Sequence, residues 1–189
     1  MANRFFITGL PRSRTAWMTV ATSRSNAICH HEPSAWLKDE HALAALWAPS
    51  VVSIGISDSA LGSVIGAVLT AYEPRTLVIR RPVNDVVRSC NAYVGKGGLR
   101  INQAKLVHRL KWLETQLGAV AHHPLVKTVD YAELNSVDVV KDCIHWLTPS
   151  VRAPADLDQL MHLNIQADLG YSVQVASAAK LWWMPAELI

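Results

Sequence analysis

The chemistry-bearing residues of this chain gather first at Thr8-Gly9-Leu10-Pro11-Arg12-Ser13-Arg14-Thr15, just after the apolar run Phe5-Phe6-Ile7. Guanidinium and hydroxyl donors crowd into one turn there, and the chemistry they suit is anion binding. A turn that closes a strand and opens a helix presents unpaired backbone N–H groups toward one point. The helix dipole adds to their pull on a negative group. Arg12 can bracket phosphate oxygens, and Ser13 and Thr15 can add hydroxyl donors. The nucleoside-triphosphatase pattern GxxxxGK[ST] does not occur. A plain strand-to-helix turn with two solvent-facing arginines has the same local composition.

Three further segments carry reactive groups. In Val78-Ile79-Arg80-Arg81-Pro82, two arginines leave an apolar run, and Ser89 follows in the next helical stretch. Guanidinium and hydroxyl together suit a terminal phosphate, although an arginine-rich strand exit needs no ligand. Cys29-His30-His31-Glu32-Pro33 offers proton acceptors. A carboxylate such as Glu32 between apolar walls gains proton affinity fit for general-base work, whereas an ordinary helix-start carboxylate has the same surroundings in sequence. Ser57-Asp58-Ser59 closes another strand candidate. There Asp58 and Ser59 either line an acceptor site or cap the helix that follows.

Other polar groups read as structural. Asp130 and Glu133 suit a turn and a helix start, and His122-His123 precede a strand at the opposite end of the sheet. The three cysteines, Cys29, Cys90 and Cys143, are odd in number and widely spaced, which fits neither a disulfide framework nor a zinc cluster. No metal site is expected.

These groups need a scaffold that brings strand ends together. Apolar β-type runs at 5–8, 26–31, 51–56, 77–79 and 125–129 alternate with helical stretches at 15–22, 33–47, 61–71, 84–93, 102–117 and 137–147. Leu106, Leu110, Leu113 and Leu117 recur at helical spacing. The repeated strand-then-helix order predicts an α/β fold of three layers with a mostly parallel central sheet. Residues 95–100, rich in glycine, read as a mobile loop.

Composition narrows the function classes. With 189 residues, 50% hydrophobic, the chain suits one domain with a substantial core. Charged residues are only 17%, which suggests a surface partly covered in a homo-oligomer. The net charge of +3 is too mild for a nucleic-acid binder. Apolar runs are too short to span a bilayer, and no signal-peptide core forms, so the expected location is the cytoplasm, with no membrane partner.

Gly9 to Trp17 resembles the 5′-phosphosulfate loop of the sulfotransferase family, written as Pro, a basic residue, Ser-Gly-Thr-Thr-Trp. Pro11, Arg12, Ser13, Thr15 and Trp17 match, whereas Arg14 stands for the glycine and Ala16 for a hydroxyl residue. Arg14 either adds a donor or obstructs close backbone approach. The segment from Arg80 to Ser89 resembles the family's 3′-phosphate segment with one extra residue, so that Arg80 or Arg81 makes the contact. Val129-Asp130-Tyr131-Ala132-Glu133-Leu134 is similar to a third, structural segment. The similarity covers residues 5–148 and leaves 149–189 as a divergent C-terminal helical region of a single domain. The family's final Arg-Lys-Gly loop is missing, and the tail holds Leu181-Trp182-Trp183-Met184-Pro185, which suits a core or subunit-contact element.

The resemblance implies that the central sheet is of the P-loop nucleotide-binding type. It implies sulfuryl transfer from 3′-phosphoadenosine-5′-phosphosulfate to a hydroxyl or amine of a small-molecule or glycan acceptor, without a metal. It implies that residues 11–17, Arg80 and Ser89 hold the donor and that Arg12 touches the transferring group. Glu32 is similarly placed to the base glutamate of protein-tyrosine sulfotransferases, with His31 or His30 in the role that histidine has in other members. Two other readings stay open: a small-molecule kinase of P-loop architecture, and a non-catalytic nucleotide-binding or assembly protein on the same fold.

Overall fold

The computed structural model describes residues 3–23, 27–37, 40–48, 50–95, 100–149 and 152–165. Five parallel strands, β1 (Arg4–Gly9), β2 (Ala27–His31), β3 (Ser53–Ser57), β4 (Arg75–Arg80) and β5 (Val126–Asp130), form one sheet in the order β2-β3-β1-β4-β5. Phe5, Phe6 and Ile7 on the central strand have no exposed surface, as expected of a strand covered on both faces. The predicted three-layer α/β architecture is the one observed.

Helices separate cleanly between the faces. Phe5, Ile7, Leu77 and Ile79 pack with α1 (Thr15–Ser23), α6 (Val137–Leu147) and α7 (Leu157–Met161). Phe6, Ile56 and Val78 pack with α2 (Glu40–Leu46), α3 (Ile65–Tyr72), α4 (Val83–Gly95) and α5 (Gln103–Ala119). The helix after β1 and the helix after β4 therefore lie on opposite sides of the sheet. Between two such neighbours the carboxyl edge of the sheet opens into a crevice, the usual ligand position in an open α/β sheet.

Two expected helices are shorter than their apolar patterns. The 33–47 stretch splits into a 3₁₀ turn, Pro33–Ala35, and α2, because Glu32 takes a left-handed conformation (φ 47°, ψ 50°) and bends the chain as it leaves β2. The 61–71 stretch starts as a 3₁₀ turn, Leu61–Val64, before α3. The Asn102 side chain accepts from Lys105 N at 3.1 Å and starts α5, whose Leu110, Leu113 and Leu117 are buried as their spacing predicts. Residues 96–99 of the glycine-rich loop and the Trp-rich tail at 181–185 lie outside the described residues. No described helix is long and apolar enough to cross a membrane.

Candidate anion and proton-transfer site

All five strands run the same way, so Gly9, His31, Ser57, Arg80 and Asp130 end on one edge, and the reactive segments of the sequence meet there. The loop leaving β1 carries two residues in the left-handed region, Arg12 (φ 66°) and Arg14 (φ 63°), with Ser13 between them. Alternation of this kind turns successive amides toward one side and makes an anion-binding concavity. The first backbone bond of α1 runs from Met18 N to Arg14 O at 2.9 Å. Among the described residues no carbonyl accepts from the amides of 13–17. Ser13 is fully buried, and its Oγ has no partner among the described residues. A buried donor left in this state calls for an acceptor, since an unmade bond there costs about 1–3 kcal/mol.

Side chains fix this loop from three directions. Ser57 Oγ donates to Thr15 O at 3.1 Å and ties α1 to β3. Arg14 Nη1 donates to Leu134 O at 2.8 Å, and its guanidinium lies 5.3 Å from the Tyr131 ring centre. The side chain in the glycine position is thus turned toward the start of α6. Arg12 Nε donates to Ser89 Oγ of α4 at 3.4 Å, with its guanidinium 4.1 Å from the Tyr93 ring centre. Pro11 lies in the turn after β1, and Ala16 sits half-buried in the first turn of α1. Trp17, by contrast, is 4% exposed and donates from Nε1 to Leu160 O at 2.9 Å. Its indole anchors α1 to α7 and packs in the core of that face.

The two arginines after β4 diverge. Arg80 points outward, with its side chain 65% exposed and paired to Asp130 through Nε and Oδ1 at 3.0 Å. Arg81 turns to the loop: Nη1 donates to Arg12 O, and its guanidinium stacks 4.2 Å from the Tyr131 ring centre. Arg81 Nε is buried and has no partner among the described residues. Of the pair that sequence left unresolved, Arg81 is the one the fold brings to Arg12, which in turn bonds Ser89.

The acid–base candidates form a second cluster at the ends of β2 and β3. Glu32 is 6% exposed, and its Oε1 accepts from Ser59 Oγ at 2.9 Å and from Ser59 N at 3.3 Å. Burial, and then the Asp58 charge, hold its proton affinity well above the ordinary carboxylate range, against the opposing bonds from Ser59. Asp58 has no exposed surface and is also shifted upward by burial. Its Oδ2 accepts from Ser34 N and its Oδ1 from Leu61 N, both at 2.9 Å. Both oxygens are therefore caps for the 3₁₀ turns that follow β2 and β3, the alternative the sequence offered to an acceptor-lining role. His31 Nε2 lies 4.0 Å from Glu32 Oε1, and burial lowers the imidazole to about 4, so it is neutral at pH 7. His30 packs edge-on against Trp36, with ring centres 6.5 Å apart.

With this geometry in hand, known proteins supply one comparison. No protein-family model matches the chain, and no curated protein matches it significantly. A solved sulfotransferase from Alicyclobacillus acidocaldarius superposes with a TM-score of 0.64 over 96% of this chain and 95% of that one, at 13% identity. This is a sulfotransferase-like fold. At this identity the likeness speaks for architecture rather than for individual residues.

Within this sulfotransferase-like fold, sequence reasoning missed the aromatic partners. Tyr93 and Tyr131 each stack on a guanidinium of the crevice, yet neither belongs to a reactive pattern. Tyr131 had one signal: it is the residue after β5 and so must lie at the ligand-bearing edge.

Proposed function

We propose that the protein transfers a sulfuryl group from 3′-phosphoadenosine-5′-phosphosulfate to a hydroxyl or amine of a small or carbohydrate-like acceptor. One observation carries this reading above the others. The loop after β1 combines left-handed Arg12 and Arg14, amides of 13–17 with no carbonyl partner among the described residues, and the buried Ser13 hydroxyl, an arrangement suited to an anion. The sulfotransferase-like fold supports the choice of donor.

In this mechanism the amides of 13–16 and the Ser13 hydroxyl hold the 5′ end of the donor. Arg12 balances charge as the bond between sulfur and the bridging phosphate oxygen breaks. Arg81 and Ser89, which converge with Arg12, take the 3′ phosphate. The acceptor oxygen attacks sulfur in line, its proton passes to the Glu32 carboxylate, and the electron pair of the broken bond leaves on the phosphate. Ser59 orients that carboxylate, and neutral His31 lies 4.0 Å from the same oxygen.

Calorimetry tests the donor site. Adenosine 3′,5′-bisphosphate should bind the wild-type chain and fail to bind Arg12→Ala, while Mg-ATP should not bind. Binding of Mg-ATP alone would turn the reading toward a kinase, and binding of neither would turn it toward an assembly role.

A further inference from the structure

Arg14 stands at a position whose backbone favours glycine, φ 63°, and its side chain must go somewhere other than into the loop it helps to build. The structure shows where. The Tyr131 ring has the Arg81 guanidinium 4.2 Å from its centre and the Arg14 guanidinium at 5.3 Å. Each arginine is then fixed by a backbone carbonyl, Arg14 by Leu134 at 2.8 Å and Arg81 by Arg12 itself. Tyr131 is pinned in turn, since its N donates to Arg80 O at 2.7 Å and continues the ladder of β4 and β5.

Both guanidiniums lie over this one ring, which engages both charges at once. The negative face of an aromatic π-system attracts a cation held over it, so the ring fixes where each guanidinium rests. We infer that Tyr131 is a positioning residue for the anion site: one ring holds Arg14 out of the loop and holds Arg81 against it. This rests on the reading of the loop as the donor's anion cradle and adds to it a residue that reaches the anion only through the two arginines. It also gives the loop a way to tolerate a large cation at its glycine position.

Two double-mutant cycles on the full chain test the inference. The first reads the clamp without any ligand, as the melting temperatures of wild type, Arg14→Gly, Tyr131→Leu and the double variant. The expected result is a double shift smaller than the sum of the single shifts, since either change alone releases the same contact. Additive shifts would overturn the proposal whether or not the chain binds a nucleotide. The second cycle reads the consequence, as the Kd for adenosine 3′,5′-bisphosphate. Tyr131→Leu should weaken binding about tenfold or more in the parent and clearly less in the Arg14→Gly background, where no side chain remains to fall into the loop. Tyr131→Phe, which keeps the ring and loses only the hydroxyl, should restore binding to within about threefold of wild type. Equal losses in Phe and Leu variants would assign the effect to the hydroxyl and sink the clamp. Failure of wild type to bind the bisphosphate, with coupled melting shifts intact, would instead count against the donor reading and leave the clamp standing.

Discussion

Glu32 and Asp58 brace each other's loops reciprocally. The Glu32 carboxylate accepts from the main chain and hydroxyl of Ser59, the residue after Asp58, while the Asp58 carboxylate accepts from Ser34 N, two residues after Glu32. Glu32 N closes the same seam by donating to Ser57 O at 2.7 Å. Burial raises the hold of each acid on its proton, and the Asp58 charge adds to the rise at Glu32.

A displaced pH profile follows if Glu32 takes the acceptor proton. The working form is the carboxylate, so kcat/KM should rise with pH through the elevated Glu32 value, well above the ordinary 4.5. His31 titrates at about 4 and cannot account for that limb. Asp58→Asn removes the neighbouring charge while its amide oxygen can still cap one turn, and it should move the limb to lower pH. A limb unmoved in Asp58→Asn would separate Asp58 from the titration, and normal turnover by Glu32→Gln would remove Glu32 from the chemistry.

Stability should depend on the same groups with a definite sign. The folded chain holds the Glu32 proton more tightly than the unfolded chain does. Its contribution is complete below the unfolded value near 4.5 and is lost as pH rises through the raised folded value. Glu32→Gln has no such proton to lose. Urea midpoints of the wild type should therefore fall relative to Glu32→Gln between acidic and alkaline buffers, and parallel curves would contradict the raised proton affinity of the buried carboxyl.

Sequence periodicity exposed the scaffold because its signals are strong and local. Branched apolar runs buried on both faces can hardly be anything but parallel strands, and the Leu106–Leu117 spacing fixes a helix face. The anion loop was visible for the same reason, since a strand, a turn and a helix start are all local features. What local pattern could not supply was direction. Arg80 and Arg81 are adjacent and chemically alike, and only the register of β4 against β5 sends the first to Asp130 and the second to Arg12. Trp17 fits the motif by letter, yet helix phase turns it to Leu160. The double capping by Asp58 depends on β2 and β3 ending side by side, a pairing of residues far apart in the chain.

The divergence of the two arginines predicts unequal variants. Arg81→Ala removes a charge held beside Arg12 and should weaken adenosine 3′,5′-bisphosphate binding about 10- to 100-fold, the range of one charge-assisted hydrogen bond. Arg80→Ala loses a solvent-exposed pair with Asp130 and should change binding by less than about threefold. Calorimetric titration of both variants at one salt concentration checks the order. The reverse order would place Arg80 at the phosphate.

Gly9 sets how close the loop-bearing strand comes to its neighbour, and replacing it should show this as lost stability. β1 and β4 pair Gly9 with Ile79, and a Cβ built on Gly9 would stand 2.5 Å from Ile79 O. The atom in the way is backbone within a buried ladder, so no rotamer change relieves the contact, and the strands must part where the loop begins. Overpacking of this kind costs about 1–3 kcal/mol. Gly66→Ala makes the control, because a Cβ there meets nothing within 4 Å and alanine favours the surrounding helix α3. Gly9→Ala should lower the urea midpoint and weaken bisphosphate binding together, since the strand exit and the anion loop share this residue. Gly66→Ala should hold or raise the midpoint and leave binding alone. If Gly9→Ala were as stable as wild type, the β1–β4 spacing described here would be wrong, and the loop geometry that depends on it would need another cause.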